Sequence, residues 1–450
     1  LVLPPGAADN TVPGGFLYHE SLKGTIGMRY QEMDKQALQA ELARVRAAYD
    51  SLKGQTLKLN LTRGKPETAQ LALSDRLFQT LADGDFTSDG VDVRNYGELS
   101  GLPACRRLFA DILFCDPAEV ICGNNASLNL MYDLIAKAYT HGLLHSARPW
   151  SQENEIKFLC PFPGYDRHFN VSKSFGMTLI PVPMRETGPD MGMVEELIQN
   201  PSVKGMWCVP KYSNPDGYVY PLETCERIAN MSPAAPDFAL MWDNAYCIHT
   251  FDGPCESFPD IIGLCRKAGH ADMVYEFAST SKVTFAGAGI SCMAASVDNI
   301  QHVLGLMKFQ TIGPNKVNEL MHVRFLKDRA TTLKHMEKHA AIMKPKFELV
   351  CDMLDQKIAP LGVASWHRPK GGYFVSLNAL PGTAKHVVAL CKDAGVALTA
   401  AGATYPGGND PADANIRIAP SYPPIAEVQK AMEVFCTCLQ MAALEKLLEA

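Results

Sequence analysis

Three apolar, strand-like runs each end in side chains that can do chemistry. The run 206–210 leads into Lys211-Tyr-Ser-Asn-Pro-Asp-Gly217, and 238–242 leads into Asp243-Asn-Ala-Tyr246. The run 273–277 leads into Ala278-Ser-Thr-Ser-Lys282. If the three runs lie side by side, one rim receives an amide, a carboxylate with a phenol, and an amine flanked by hydroxyls. A lysine can condense with an aldehyde cofactor to a Schiff base. A carboxylate can hold a pyridine nitrogen protonated, so that the ring accepts electrons. Tyrosine and asparagine can hydrogen-bond a phenolic oxygen on that ring. Taken singly, each residue has a plainer reading. Lys282 could be a surface lysine, Asp243 a helix N-cap, Tyr246 a core ring, and Asn214 the first residue of a turn.

The elements that would position these residues read as a doubly wound α/β unit. Apolar runs at 156–160, 178–182, 203–209, 238–242, 273–276 and 290–295 alternate with helical stretches at 128–139, 193–199 and 222–230. Such alternation predicts a large, mostly parallel sheet, and ligands of such sheets bind beyond the carboxyl ends of the strands. Before it, a charged amphipathic helix is expected at 31–53, with Leu38, Leu42, Val45 and Tyr49 on one stripe. From 315 the texture changes to one or two long helices, short strands near 363–366, 373–377, 396–398 and 416–419, and helices at 384–394 and 425–448. The expected division is an N-terminal arm and helix (1–85) joining a smaller α+β domain (315–450), and a large α/β domain (86–314).

Composition narrows the class. The chain has 450 residues, 42 basic and 48 acidic, with a formal net charge of -6. No basic stripe stands out, so a nucleic-acid partner is not expected. Fourteen cysteines without a CxxC pair argue against a disulfide framework or a zinc ribbon, and for a reducing, cytoplasmic compartment. Cys436 and Cys438 read as two buried thiols. No metal site is expected. Residues 1–15 hold Pro4, Pro5, Pro13 and three glycines, and do not read as a signal peptide. No apolar run is long enough to span a membrane. His335 and His339 sit four apart on a helix, but lack the HExxH order and read as a solvated face.

The motifs together resemble the fold-type I pyridoxal-phosphate aminotransferases, in particular the branch called MocR-like or aspartate aminotransferase type Ic. The likeness is carried by Asn214-Pro-Asp-Gly217, Asp243-Asn-Ala-Tyr246, Ser279-Thr-Ser-Lys282, Pro369-Lys-Gly-Gly-Tyr-Phe374 and Ile416-Arg-Ile-Ala419. The runs Asn60-Leu-Thr-Arg-Gly-Lys-Pro66 and Gln310-Thr-Ile-Gly-Pro-Asn-Lys316 point to that branch. The resemblance spans about residues 30 to 435, and the order and spacing of the pieces are what make it specific.

It implies a role for each matching residue. Lys282 would be the Schiff-base lysine and proton carrier. Asp243 would pair with the pyridinium nitrogen, with His168 supporting it, and Tyr165 would stack on the ring. Tyr246 and Asn214 would bond the phenolic oxygen. Asn125, Ala126 and Ser127 at a helix N-terminus, with Ser279 and Ser281, would hold the phosphate. Tyr96 would reach the phosphate of a neighbouring subunit. Arg417 would grip the substrate α-carboxylate with its planar fork, beside Gly64 and Asn214, and residues 371–374 would lie near the mouth. The implied activity is transamination from an L-amino acid, aspartate first, to a 2-oxo acid, 2-oxoglutarate first, in a homodimer with shared sites.

Some points stay open. Most relatives carry a phosphate-binding arginine about eight residues after the lysine. This chain reads Lys282-Val-Thr-Phe-Ala-Gly-Ala-Gly-Ile290, where Gly287 and Gly289 would have to offer backbone N–H groups instead. Arg63, Lys65 and Lys308 compete for the distal carboxylate of the substrate. A lyase or decarboxylase would use the same motifs. A MocR-like regulator would need a DNA-binding domain, and no basic recognition helix is visible.

Overall fold

The structure is a computed structural model that describes residues 29–253, 255 and 258–449. The expectation for residues 1–15 lies outside it. Eight strands form the main sheet: β1 (Val120–Gly123), β2 (Lys157–Phe162), β3 (Thr178–Arg185), β4 (Gly188–Pro189), β5 (Val203–Cys208), β6 (Ala239–Asp243), β7 (Val274–Ser279) and β8 (Ser291–Ala295). Their order is β1-β8-β7-β6-β5-β2-β3-β4. The five inner strands β7, β6, β5, β2 and β3 run parallel. β8 is antiparallel to both β7 and β1, and β4 is antiparallel to β3. Every residue of β5 and β6 is buried, as befits strands covered on both faces. Separate apolar clusters lie on the two faces. The expected fold class is the one observed: a large doubly wound sheet with a smaller α+β unit.

The helices that frame the site are α1 (Lys35–Lys53), α2 (Pro103–Leu113), α3 (Ser127–Thr140), α4 (Asp166–Ser174), α5 (Lys316–Leu326), α6 (Arg329–Lys357) and α7 (Ile425–Glu449). A third core joins α1, the C-terminal half of α6, α7 and an antiparallel sheet of Ala364–Trp366, Val375–Ala379 and Asn415–Ile418. Leu38, Val45 and Tyr49 are the buried residues of α1; Leu42, on the same stripe, packs partly buried against that core. Leu59–Asn60 pairs in parallel with Val396–Ala397 and ties the N-terminal segment to this unit. Helix α6 bridges the two bodies: Met336 belongs to the core of the large sheet, Met343 to Leu354 to the smaller one.

Candidate active site

The registers Cys208 with Trp242 and Asp243 with Phe277 set the carboxyl ends of β5, β6 and β7 side by side. Asp243 is the last residue of β6 and is 4% exposed. Its Oδ2 lies 2.9 Å from Nε2 of His168, in the first turn of α4. The His168 ring stacks on Trp207 of β5, with centroids 4.3 Å apart and planes 7° apart, and the Tyr165 ring meets its edge at 4.9 Å. The imidazole is therefore held from two sides, and its nitrogen is aimed at the carboxylate. The other oxygen, Asp243 Oδ1, is buried with no hydrogen-bond partner among the described residues. A buried carboxylate oxygen left so is costly unless a donor arrives. A protonated ring nitrogen is such a donor, so the residues present fit a pyridinium cofactor here.

Lys282 stands in the turn after β7. Its Nζ is 4.9 Å from the centroid of the Tyr246 ring and 5.6 Å from that of Tyr373. Burial pulls the lysine pKa below its ordinary value, and the Asp243 charge opposes that only in part. The amine is thus readier to act as a neutral nucleophile. Burial pushes the Tyr246 phenol far up, which keeps it a proton donor. The turn itself is fastened at several points. Ser281 Oγ donates to Asn125 O at 2.7 Å, Thr284 Oγ1 lies 2.8 Å from His322 Nε2, and Val283 O lies 2.8 Å from His335 Nε2.

The Ser281 bond joins the lysine turn to the candidate phosphate loop. Helix α3 begins at Ser127, and its N-cap Ala126 supplies no side-chain hydrogen bond. No side chain caps the first-turn amides, although Asn129 N donates to Ala126 O at 3.1 Å, and such a helix start suits an anion. Asn124 and Asn125 are held by Ser291 and Ser281 through their carbonyls. Opposite them, Asn318 Nδ2 of α5 donates to the carbonyls of Ala288 and Gly289 at 3.0 and 2.9 Å. A side chain at Gly287 would meet open space, whereas one at Gly289 would crowd Ser281 N and Thr280 Oγ1. Ser279 ends β7, paired with Ser291. Tyr96 is 82% exposed.

On the other wall, Arg417 of the small sheet is 8% exposed. Its Nη1 donates to Asn214 Oδ1 at 3.2 Å and lies 3.5 Å from Asp166 Oδ1; Nη2 donates to Thr399 Oγ1 at 3.3 Å. Its carbon Cζ sits 4.8 Å over the Phe374 ring, and Nε has no partner among the described residues. Phe374 also explains Gly64, where a Cβ would fall 2.6 Å from that ring. The three candidates for the distal charge behave differently. Lys65 Nζ lies 3.8 Å over the Tyr422 ring, Lys308 sits 5.0 Å from the Phe309 ring, and Arg63 is exposed. None of the three shows a contact with Arg417, Asn214 or Lys282.

Two expectations need different treatment. Cys436 and Cys438 are buried thiols, as read. His335 and His339 are not a solvated face: they are 6% and 2% exposed. Their side of α6 turns inward beneath the lysine turn. His339 Nε2 lies 3.2 Å from His335 Nε2, and Gln70 Nε2 bridges His339 Nδ1 and Tyr373 Oη at 3.2 Å each. Burial lowers the pKa of both histidines, so they stay neutral. Gln70, Trp207, His249 and His322 were not read as site residues. Trp207 looks like any core residue of an apolar run. Nothing in the spacing marks His249, which is buried against the Tyr246 and Tyr373 rings with both ring nitrogens unpartnered among the described residues.

A strand-end amine held close to a half-satisfied carboxylate, with an anion cradle tied to the same turn, belongs to enzymes that process amines on a pyridine aldehyde. Comparison with known proteins gives the same class. The family model for aspartate amino-transferase matches residues 33–450. The aspartate aminotransferase of Corynebacterium glutamicum is 46% identical over 402 residues, 89% of this chain and 93% of that protein. The crystal structure of an aspartate transaminase from the same species superposes with a TM-score of 0.91 at 45% identity, covering 93% of this chain and 99% of that one. The α-aminoadipate aminotransferase LysN of Thermus thermophilus, with a TM-score of 0.70 at 20% identity over 87% of this chain and 93% of that one, shares the fold. The chain belongs to the aspartate aminotransferase family. It is a pyridoxal-phosphate-dependent aminotransferase of fold type I.

Proposed function

We propose that the amino donor is L-aspartate and the acceptor 2-oxoglutarate, exchanged by a ping-pong reaction. The reading is supported by the relatives named for aspartate and by one observation above all: the open Oδ1 of Asp243 close to a desolvated Lys282. Bound pyridoxal phosphate supplies an aldehyde carbon and an electron-accepting ring. Lys282 would be the residue that holds the aldehyde carbon, and its Nζ would carry the proton to and from the substrate. Asp243 would pair with the protonated ring nitrogen, and His168 would hold the Asp243 carboxylate in position. Tyr246 and Asn214 donate towards the phenolic oxygen, and Tyr165 covers the ring. Asn125, Ala126, Ser127, Ser279 and Ser281 form the phosphate cradle. Arg417 would take the α-carboxylate through its unpartnered Nε and through Nη groups that would exchange Asp166 and Asn214 for the ligand, with Gly64 leaving room.

The same reading includes a homodimer in which Tyr96 completes the partner's cradle. Its exposure, shared with Phe309 (79%) and Ile312 (60%), supports this. Membership of the MocR-like or type Ic branch and a cytoplasmic location belong to the proposal too, the latter supported by fourteen free cysteines. In the division 1–85, 86–314 and 315–450, the core that α1 shares with α7 supports joining the first segment to the last, whereas Leu320, Leu326 and Met336 pack with the large sheet and favour a boundary within α6.

The test is a pair of half-reactions. Adding L-aspartate to the holoenzyme should bleach its yellow colour, and 2-oxoglutarate should restore it. Borohydride reduction before digestion should label the Lys282 peptide. A colour that ignores aspartate while responding to another amino acid would refute the donor assignment. A label elsewhere would refute the lysine.

A further inference from the structure

Behind the phosphate cradle, and outside the reacting cleft, three donor groups converge. Cys105 Sγ of α2, Cys122 Sγ of β1 and a carboxylate oxygen of Glu319 of α5 lie within 4.8 Å of one another. All three residues are 0% exposed. The carboxylate is oriented: its Oε2 accepts the Leu102 N–H at 2.7 Å. Its Oε1 is buried without a hydrogen-bond partner among the described residues. That oxygen faces Cys122 across Gly101, where a Cβ would fall 2.5 Å from Cys122 Cβ and 2.8 Å from Glu319 Oε1. Only a glycine leaves this space free.

We propose that Cys105, Cys122 and Glu319 form a structural site for a divalent cation with thiolate affinity, zinc in the first instance. Two sulfurs and a carboxylate oxygen are a donor set for Zn²⁺, which adds a water as fourth ligand when three protein groups bind it. The Leu102 N–H on Oε2 is the outer hydrogen bond that fixes a ligating carboxylate. Charge also balances. Two thiolates, one carboxylate and Zn²⁺ sum to −1, and Arg106 and Lys316 act electrostatically on this cluster. Without the ion, burial raises both thiols and lifts Glu319 to about 7. Binding therefore releases protons, and affinity rises with pH.

The placement gives the ion a purpose. Cys122 is one residue before the loop Gly123-Asn-Asn-Ala-Ser127. Cys105 follows the loop that carries Tyr96, and Cys122 N already donates to Ser100 O at 2.9 Å. Glu319 is adjacent to Asn318, which holds the carbonyls of Ala288 and Gly289. One cation would thus clamp the three segments that converge on the phosphate cradle.

Full-length protein refolded or expressed with zinc, then passed through a desalting column, should retain about one zinc per chain by elemental analysis. Cobalt in its place should give a thiolate-to-cobalt charge-transfer band. Cys122→Ser and the near-isosteric Glu319→Gln should each weaken zinc at least about tenfold in a chelator competition. The Gln variant keeps the shape of the site, so it answers if the Ser variant folds poorly. Zinc retained equally by both variants, or below about a tenth per chain in the parent, would overturn the proposal. So would a denaturing thiol count two short of the fourteen in the sequence, traced by peptide mapping to a Cys105–Cys122 disulfide.

Discussion

Asp243, His168 and Tyr246 are 4%, 1% and 4% exposed, whereas Tyr96 is 82% exposed and Arg63 and Lys65 reach into solvent. The floor of the cleft is built by strand ends in register, a ring stacked at 4.3 Å and a turn fastened by three separate hydrogen bonds. The mouth is built by loops whose charges meet rings or water. The floor can therefore be aligned before a ligand arrives, which is how electrostatic stabilisation works best. In the proposed homodimer, the exposed side chains of the mouth would find their partners in the ligand or in a second copy of the chain. Arg417 stands at the border: it is buried, yet its present partners Asn214, Thr399 and Asp166 leave Nε unanswered.

Substitutions can break this contrast, beginning with the largest effect. Lys282→Ala should lower kcat by at least about 10⁴-fold, because it removes both nucleophile and proton carrier. Single-turnover absorbance with aspartate measures it, and a loss under tenfold would detach the floor from the chemistry. Asp243→Asn should cost about 10³-fold in kcat with little change in KM, since an amide cannot hold the ring nitrogen protonated to the same degree. Arg417→Met should act at the border, reducing kcat/KM by about 10²-fold, chiefly through KM, as one charged hydrogen-bonded clamp of about 2–3 kcal/mol is lost. His168→Phe keeps a ring on Trp207 but frees Asp243, and should cost about tenfold; a change confined to thermal stability would make the imidazole mere packing.

The smallest effect sharpens the description of the floor's underside. Glu276 on β7 is buried with Oε1 accepting from Asn244 Nδ2 at 2.8 Å, and burial lifts its pKa to about 8. The folded state keeps this proton while the unfolded chain releases it near the ordinary carboxyl value. Stability is therefore highest below that value and falls as pH rises towards 8. Between pH 5.5 and 8 the parent should lose about 2–3 kcal/mol from this group, and Glu276→Gln should flatten the slope in urea titrations. Equal slopes would mean that the carboxyl is ionised in the fold.

The floor was legible from sequence because β5, β6 and β7 are mainly apolar runs that stop at polar residues, interrupted by Lys204 in β5 and Glu276 in β7. Burial on both faces favours such a composition. β1 escaped notice: four residues, Val-Ile-Cys-Gly, are too few to establish a period. The inward turn of His335 and His339 was hidden because Lys334, Glu337 and Lys338 surround them, and histidine itself does not declare which side it faces. The partner of the substrate's far carboxylate could not be read, since exposed cations occur on every loop and only contact distinguishes one.

Ala126 at the head of α3 carries a trade-off. An Asp or Ser there would seat its own oxygen on the bare amides and firm up the empty protein by about 1 kcal/mol. It would also become a tethered competitor for vitamin B6. If this helix start does hold the coenzyme's phosphate, thermostability screens run without the coenzyme would select against the very feature that lets it be loaded.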